Sequence, residues 1–343
     1  MSGSIDIGGI LKASKESEAE RTKPVCVAIY VDLSAPDHLV SLVRRSFTPV
    51  LEHATLRLET LDQVVPSAPS DVQLALIVAG VSPLVGEFHR VLGKVGVPSI
   101  VICESLKTLV DASHVAGSPI SPLDIVFLDE GETGASDGED RFLLSLGELV
   151  CDRCKDHKLA LASAFPFMRK PAAIDIVRST SMQNAVIGAV VIIPGANMPV
   201  MTLNQAKMIL QIAAVYEQQI GPARIKELAA VVGGGFALRA LARQIVGIVP
   251  VLGWAVKGAI GYSGTIAMGY AAIEYFAAGG DILNLGQHLS ELGDTLLEKQ
   301  VADADKRQVI RDTARRARER LNVDLVSVTD AITGKIENKD LDK

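Results

Sequence analysis

Apolar residues in the first half of the chain cluster in short runs separated by stretches of helical spacing. The runs are Val25 to Val31, Thr55 to Thr60, Val72 to Ala79, Ser99 to Cys103 and Asp124 to Leu128. Near-continuous apolar strands alternating with helices predict a mostly parallel sheet covered on both faces. The intervening patterns predict helices over His38 to His53, Pro83 to Val95, Leu106 to Ser113 and Glu139 to Lys158. From Ile174 the pattern changes. Long apolar stretches broken at Pro194-Gly195 and Pro199 predict a helical hairpin, with arms at about Ile174 to Ile193 and Thr202 to Tyr216. A longer helix follows Gly221-Pro222 and ends at Pro250, and a last apolar helix runs from Trp254 to Phe276. Two amphipathic helices, about Ile282 to Gln300 and Ala304 to Asn322, precede a charged tail.

The expected organisation is therefore an α/β domain joined to an all-α part. Residues 1–23 read as a flexible polar leader, 24–160 as a doubly wound α/β domain, and 161–173 as a linker. Residues 174–280 read as an apolar helical-hairpin domain, and 281–343 as amphipathic helices and tail. The leader lacks a basic n-region, and its apolar run is too short for a signal peptide.

Charge sharpens the contrast between the halves. Residues 174–280 carry 7 basic and 4 acidic side chains, a much sparser density than the 22% charged residues of the whole chain. Such a segment is a buried helical core or a membrane-associated one. Trp254 to Ala278 is long enough to span a bilayer, and Gly258, Gly261, Gly264 and Gly269 would let helices approach closely. Arg239 and Arg243, at i, i+4 spacing, instead give the preceding helix one basic face. The net charge of -6 and the lack of an aromatic-interleaved basic stretch argue against a nucleic-acid partner. Four cysteines (Cys26, Cys103, Cys151, Cys154) without a secretion signal point to a reducing compartment.

Ligands of doubly wound sheets sit at the carboxyl ends of the strands, which makes the loop after the first strand the place to look for phosphate chemistry. That loop reads Asp32-Leu33-Ser34-Ala35-Pro36-Asp37. It has no glycine for close backbone approach, no lysine for charge, and two carboxylates where a phosphate would sit. Asp32, Asp37 and Asp129 are one arrangement that could hold magnesium, with solvated loop carboxylates the plainer alternative. Cys151, Cys154 and His157 resemble half a zinc motif, but no second ligand pair exists to complete four-coordination. The six histidines are scattered and no G-x-S-x-G elbow accompanies them, so the reading assigns no catalytic residue, no metal and no cofactor. Gln183-Asn184 and Asn204-Gln205 occupy the two hairpin arms, where buried amides should bond to one another.

Several ordered blocks carry a family resemblance: Met182 to Gly188, Ile193 to Pro199, Thr202 to Met208, Val232 to Arg243 and Val249 to Trp254. They resemble the YcjF-like bacterial family, domain of unknown function 697, over about residues 174–280. The resemblance implies an apolar helical module, often membrane-linked, behind a small GTPase-like domain. The α/β half is expected to resemble such a GTPase in strand order, but it lacks the phosphate-loop lysine and has Cys103-Glu104-Ser105 where the guanine-reading motif should follow a strand.

The expectation is a non-catalytic, membrane-associated or scaffolding protein that self-associates through its helical module. Its expected location is the cytoplasmic face of the inner membrane or the cytoplasm. The candidate interaction residues are Arg239, Arg243, Trp254, Lys257, Arg315 and Arg316. Two alternatives stand beside it: a nucleotide- or metal-dependent enzyme with an atypical site at the strand ends, and a soluble subunit of a homo-oligomeric assembly.

Overall fold

The computed structural model describes residues 7–62, 65–66, 69, 71–128, 136–190, 198–218 and 253–280. They contain a five-stranded, all-parallel sheet of order β2-β1-β3-β4-β5. The strands are β1 (Val25–Asp32), β2 (Ala54–Leu61), β3 (Leu74–Val78), β4 (Ser99–Cys103) and β5 (Ile125–Phe127). Each coincides with an expected run to within two residues at either end.

Strand alternation divides the core into two layers. Val25, Val27 and Ile29 of β1 face one side with Leu74, Leu76, Ile100 and Ile102, under α2 (Asp37–Ser46) and α5 (Ser136–Arg153). Cys26, Ala28 and Tyr30 face the other side with Ala75, Ile77 and Val101, under α3 (Leu84–Val95) and α4 (Leu106–Val115). β1, β3 and β4 are thus buried on both faces, the environment that favours continuous Val/Ile/Leu runs. Helix α2 ends at Ser46 rather than His53, because Pro49 lacks the amide that a further turn needs. Phe47 then turns inward, its ring 5.2 Å from that of Phe165 and 4.9 Å from that of Phe167.

The connection between β2 and β3 contains no helix among its described residues. Val65 and Val72 pack on the sheet face there, and Arg57 pairs with Asp71 across it. With no helix above them, Thr55, Arg57 and Glu59 on that face of β2 are polar.

Two expectations are corrected. The segment expected as a flexible polar leader is helical in its described part: Ile7–Arg21 forms α1, which buries Ile10 and Ala13 at i, i+3 spacing. The segment expected as a linker is also helical and buried. It comprises α6 (Lys158–Ala164), a 3-10 turn at Pro166–Met168 and the start of α7 (Arg169–Val190). The segments expected as hairpin arms contain α7 and α8 (Met198–Val215), and the last apolar helix is α9 (Gly253–Ala277). Buried residues of α1, α5, α6, α7, α8 and α9 share one apolar cluster with a face of the sheet, so no boundary separates the sheet from these helices. Gly269 is where α9 meets α7 closely: a Cβ there would lie 2.6 Å from Val177 Cγ1.

Candidate functional site

The order 2-1-3-4-5 places the topological switch point between β1 and β3, whose carboxyl ends form the crevice where such sheets take ligands. Asp32, the last residue of β1, is 2% exposed and occupies that crevice. Its carboxylate accepts hydrogen bonds from the backbone nitrogens of Gly80 at 2.9 Å, Ser82 at 3.2 Å and Ser34 at 3.3 Å, and from Ser34 Oγ at 2.8 Å. Ser34 Oγ in turn accepts from Val81 N at 2.9 Å. Converging backbone amides of this kind make an anion-binding concavity. Here the anion is a side chain of the same chain.

The two loops touch directly. A Cβ on Gly80 would collide with the Ser34 carbonyl oxygen and hydroxyl, so glycine is required by contact rather than by backbone conformation. His38, in the first turn of α2, pairs with Glu104 beyond β4 at 2.7 Å, bridging across the end of β3. The next residue, Ser105, caps α4 by accepting from Thr108 N at 3.3 Å. Of the three residues considered for magnesium, the structure places two. Asp32 is fully engaged, Asp37 opens α2, and Asp129 lies outside the described residues. Among the described residues no group of three His, Cys, Asp or Glu side chains is placed to hold a metal ion.

The opposite end of the sheet holds a cluster that sequence reasoning missed. Ser99 Oγ lies 2.9 Å from His89 Nδ1, and His89 Nε2 lies 3.4 Å from Asp124 Oδ2. Arg153 donates to Asp124 Oδ1 at 2.6 Å. These four residues tie α3, the start of β4, the turn before β5 and the end of α5 together. Burial is the largest influence on His89 and lowers its pKa below the usual 6.5, outweighing the upward pull of Asp124. Ser99 is buried at the amino end of its strand, at the end of the sheet opposite the switch point. No sequence motif links residues 89, 99, 124 and 153; only the parallel register gathers them.

Cys151 and Cys154 are buried packing residues. Burial pushes each thiol from 9.0 to about 12, which disfavours the thiolate that a metal or redox role needs.

In the helical half one of the expected amide pairs forms, Gln183 is exposed, and Gln205 bonds to a third helix instead. Asn204 Nδ2 donates to Asn184 Oδ1 at 3.0 Å, while Asn184 Nδ2 and Gln205 Nε2 donate to Thr265 Oγ1 at 3.0 and 2.9 Å. Asn184, Gln205 and Thr265 are fully buried, so α7, α8 and α9 meet through a polar layer inside an apolar bundle. Of the candidate interaction residues, Trp254 and Lys257 lie in the first turns of α9, whereas Arg239, Arg243, Arg315 and Arg316 fall outside the described residues. Among the described residues no helix is long and apolar enough to cross a membrane.

No family model, no curated protein and no solved structure matches the chain.

Proposed function

We propose that the chain is a non-catalytic scaffolding protein in which a doubly wound α/β domain without a phosphate loop is joined to a self-associating helical module. The observation that carries this reading is the occupancy of the switch point by Asp32. Amides that would greet a phosphate already bind a carboxylate, and an incoming phosphate would meet both a filled site and a like charge. The resemblance of residues 174–280 to the YcjF-like family supports the helical half of the proposal. So do the exposed Met182 and Val186, one turn apart on α7, and Tyr262 and Tyr270 on α9, which suit a protein partner better than solvent. Contact with the cytoplasmic face of the inner membrane rests on the cations of Ala304 to Asn322, Arg315 and Arg316 among them, which would attract anionic headgroups.

Calorimetric titration of the full chain with GTP and with ATP, each with magnesium, tests the central claim. The expected result is no binding, and a micromolar affinity for either nucleotide overturns it. Flotation with anionic and with neutral vesicles tests the membrane contact, which is dropped if the chain stays at the bottom of the gradient with both.

A further inference from the structure

We propose that the outer edge of β2 joins two copies of this chain strand to strand, antiparallel, about a two-fold axis passing beside Leu58.

The sheet has two edges of very different kinds. β5 is three residues long, a short edge that offers little to pair with. β2 is eight residues long and regular, and among the described residues it bonds only to β1. Natural edges are usually blunted by shortness, proline, lysine or a bulge, and Ala-Thr-Leu-Arg-Leu-Glu-Thr-Leu contains neither residue and pairs with β1 in unbroken register. Leu58, at the middle of the strand, is 49% exposed. It extends a row that begins with buried Ala54 and half-buried Leu56 on the same face.

The occupant follows from charge. A two-fold axis perpendicular to the sheet keeps each side chain on its own face, so a residue opposes itself or one an even number of positions away. Centring the axis on Arg57 sets two guanidinium groups against each other, and centring it on Glu59 sets two carboxylates against each other. Centring it on Leu58 places Leu58 against the partner's Leu58, and Arg57 against the partner's Glu59 on both sides of the axis. Opposite charges and apolar side chains directly across an antiparallel pair stabilise it, and like charges oppose it. Of these three registers, only the one centred on Leu58 satisfies both faces. Arg57 uses two of its nitrogens on Asp71 and has further N–H donors for a second carboxylate. Two open sheets become one continuous sheet, and the exposed edge disappears. This contact is separate from the helical self-association proposed above.

The test is oxidative cross-linking of the full chain carrying Leu58→Cys, with copper phenanthroline as oxidant. The four native cysteines are buried and supply little background. Val115→Cys, at a position 92% exposed at the end of α4, is the control for random collision. The expected result is a covalent dimer from Leu58→Cys under conditions where Val115→Cys gives none. Adding Arg57→Glu should lower the cross-link yield roughly tenfold, and adding Glu59→Arg to that variant should restore it. Asp71→Asn, which removes only the intrachain pair, should leave the yield unchanged. No covalent dimer from Leu58→Cys, equal yields from both cysteine variants, or indifference to Arg57→Glu overturns the proposal. Association seen by sedimentation without a cross-link at Leu58→Cys also overturns it, while leaving the helical self-association standing.

Discussion

The Asp32 carboxylate lies 2.9 Å from the Gly80 backbone nitrogen, so the carboxyl ends of β1 and β3 are fastened by an anion that belongs to the chain itself. On the reading proposed above these amides are structural, and removing their partner should damage stability rather than a chemical step.

Asp32→Ala strips the acceptor from three backbone nitrogens and the Ser34 hydroxyl in a buried site. The expected loss is about 3 kcal/mol of unfolding free energy, read from urea denaturation. A ligand-binding carboxylate would behave oppositely, since its removal commonly leaves the fold intact; an unchanged urea midpoint would contradict the assignment.

Gly269→Ala introduces a methyl group against Val177, and α7 and α9 must move apart to admit it. Overpacking of this kind should cost about 1–3 kcal/mol. Val177→Ala in the same chain should recover part of that loss, because it removes the atoms that collide. Thermal unfolding of the two single variants and the double variant measures the recovery.

Asn184→Ala deprives Asn204 of its acceptor and Thr265 of a donor inside the bundle. A double-mutant cycle with Thr265→Val should show a coupling of about 0.5–3 kcal/mol, as expected for members of one buried network. Simple additivity would mean that the two side chains act independently.

Burial holds the His89 pKa below 6.5, so the folded chain binds fewer protons there than the unfolded chain does. The stability associated with neutral His89 is intact above pH 6.5 and is lost as pH falls from 6.5 toward the lowered folded value. Comparing urea midpoints at mildly acidic and neutral pH should show a smaller acid penalty in His89→Gln than in the parent chain.

The thiols predict an alkaline limit of opposite sign. Cys103, Cys151 and Cys154 are raised by burial from 9.0 to about 12, so the folded state keeps protons that the unfolded state releases. Stability should be complete below pH 9.0 and should decline as pH rises from 9.0 toward 12. Alkaline unfolding followed by circular dichroism checks this, and Cys151→Ala should move the midpoint upward if packing is preserved.

The elements legible in sequence were those whose environment is uniform along the strand. β1, β3 and β4 are buried on both faces, so continuous runs such as Val25 to Val31 announce them directly. Helix α1 was not legible because its buried face is narrow, with Ile10 and Ala13 set among lysines, glutamates and serines that read as a solvated tail. The polar face of β2 goes with the lack of a helix over it among the described residues, which no local pattern reports. At the switch point, the sequence shows that Asp32 stands where a phosphate would sit, but not that it takes the phosphate's place. That depends on Gly80 and Ser82, far along the chain and adjacent only through the parallel pairing of β1 with β3. The amides of α7 and α8 were legible because a polar group in an apolar helix has few alternatives to another polar group, whereas their acceptor Thr265 was hidden among the small residues of α9.

Helix α1 carries a consequence for the order of assembly. Its buried face packs beside α6 and α8, and Lys207 of α8 lies 3.8 Å from Glu16. During synthesis α1 is made before α6 and α8, so that face is fully covered only after about residue 215. Closing so long a loop is slow compared with local helix formation, and the exposed Ile10 face is open to chaperones meanwhile. The beginning of this chain is among the last of its described parts to be finished.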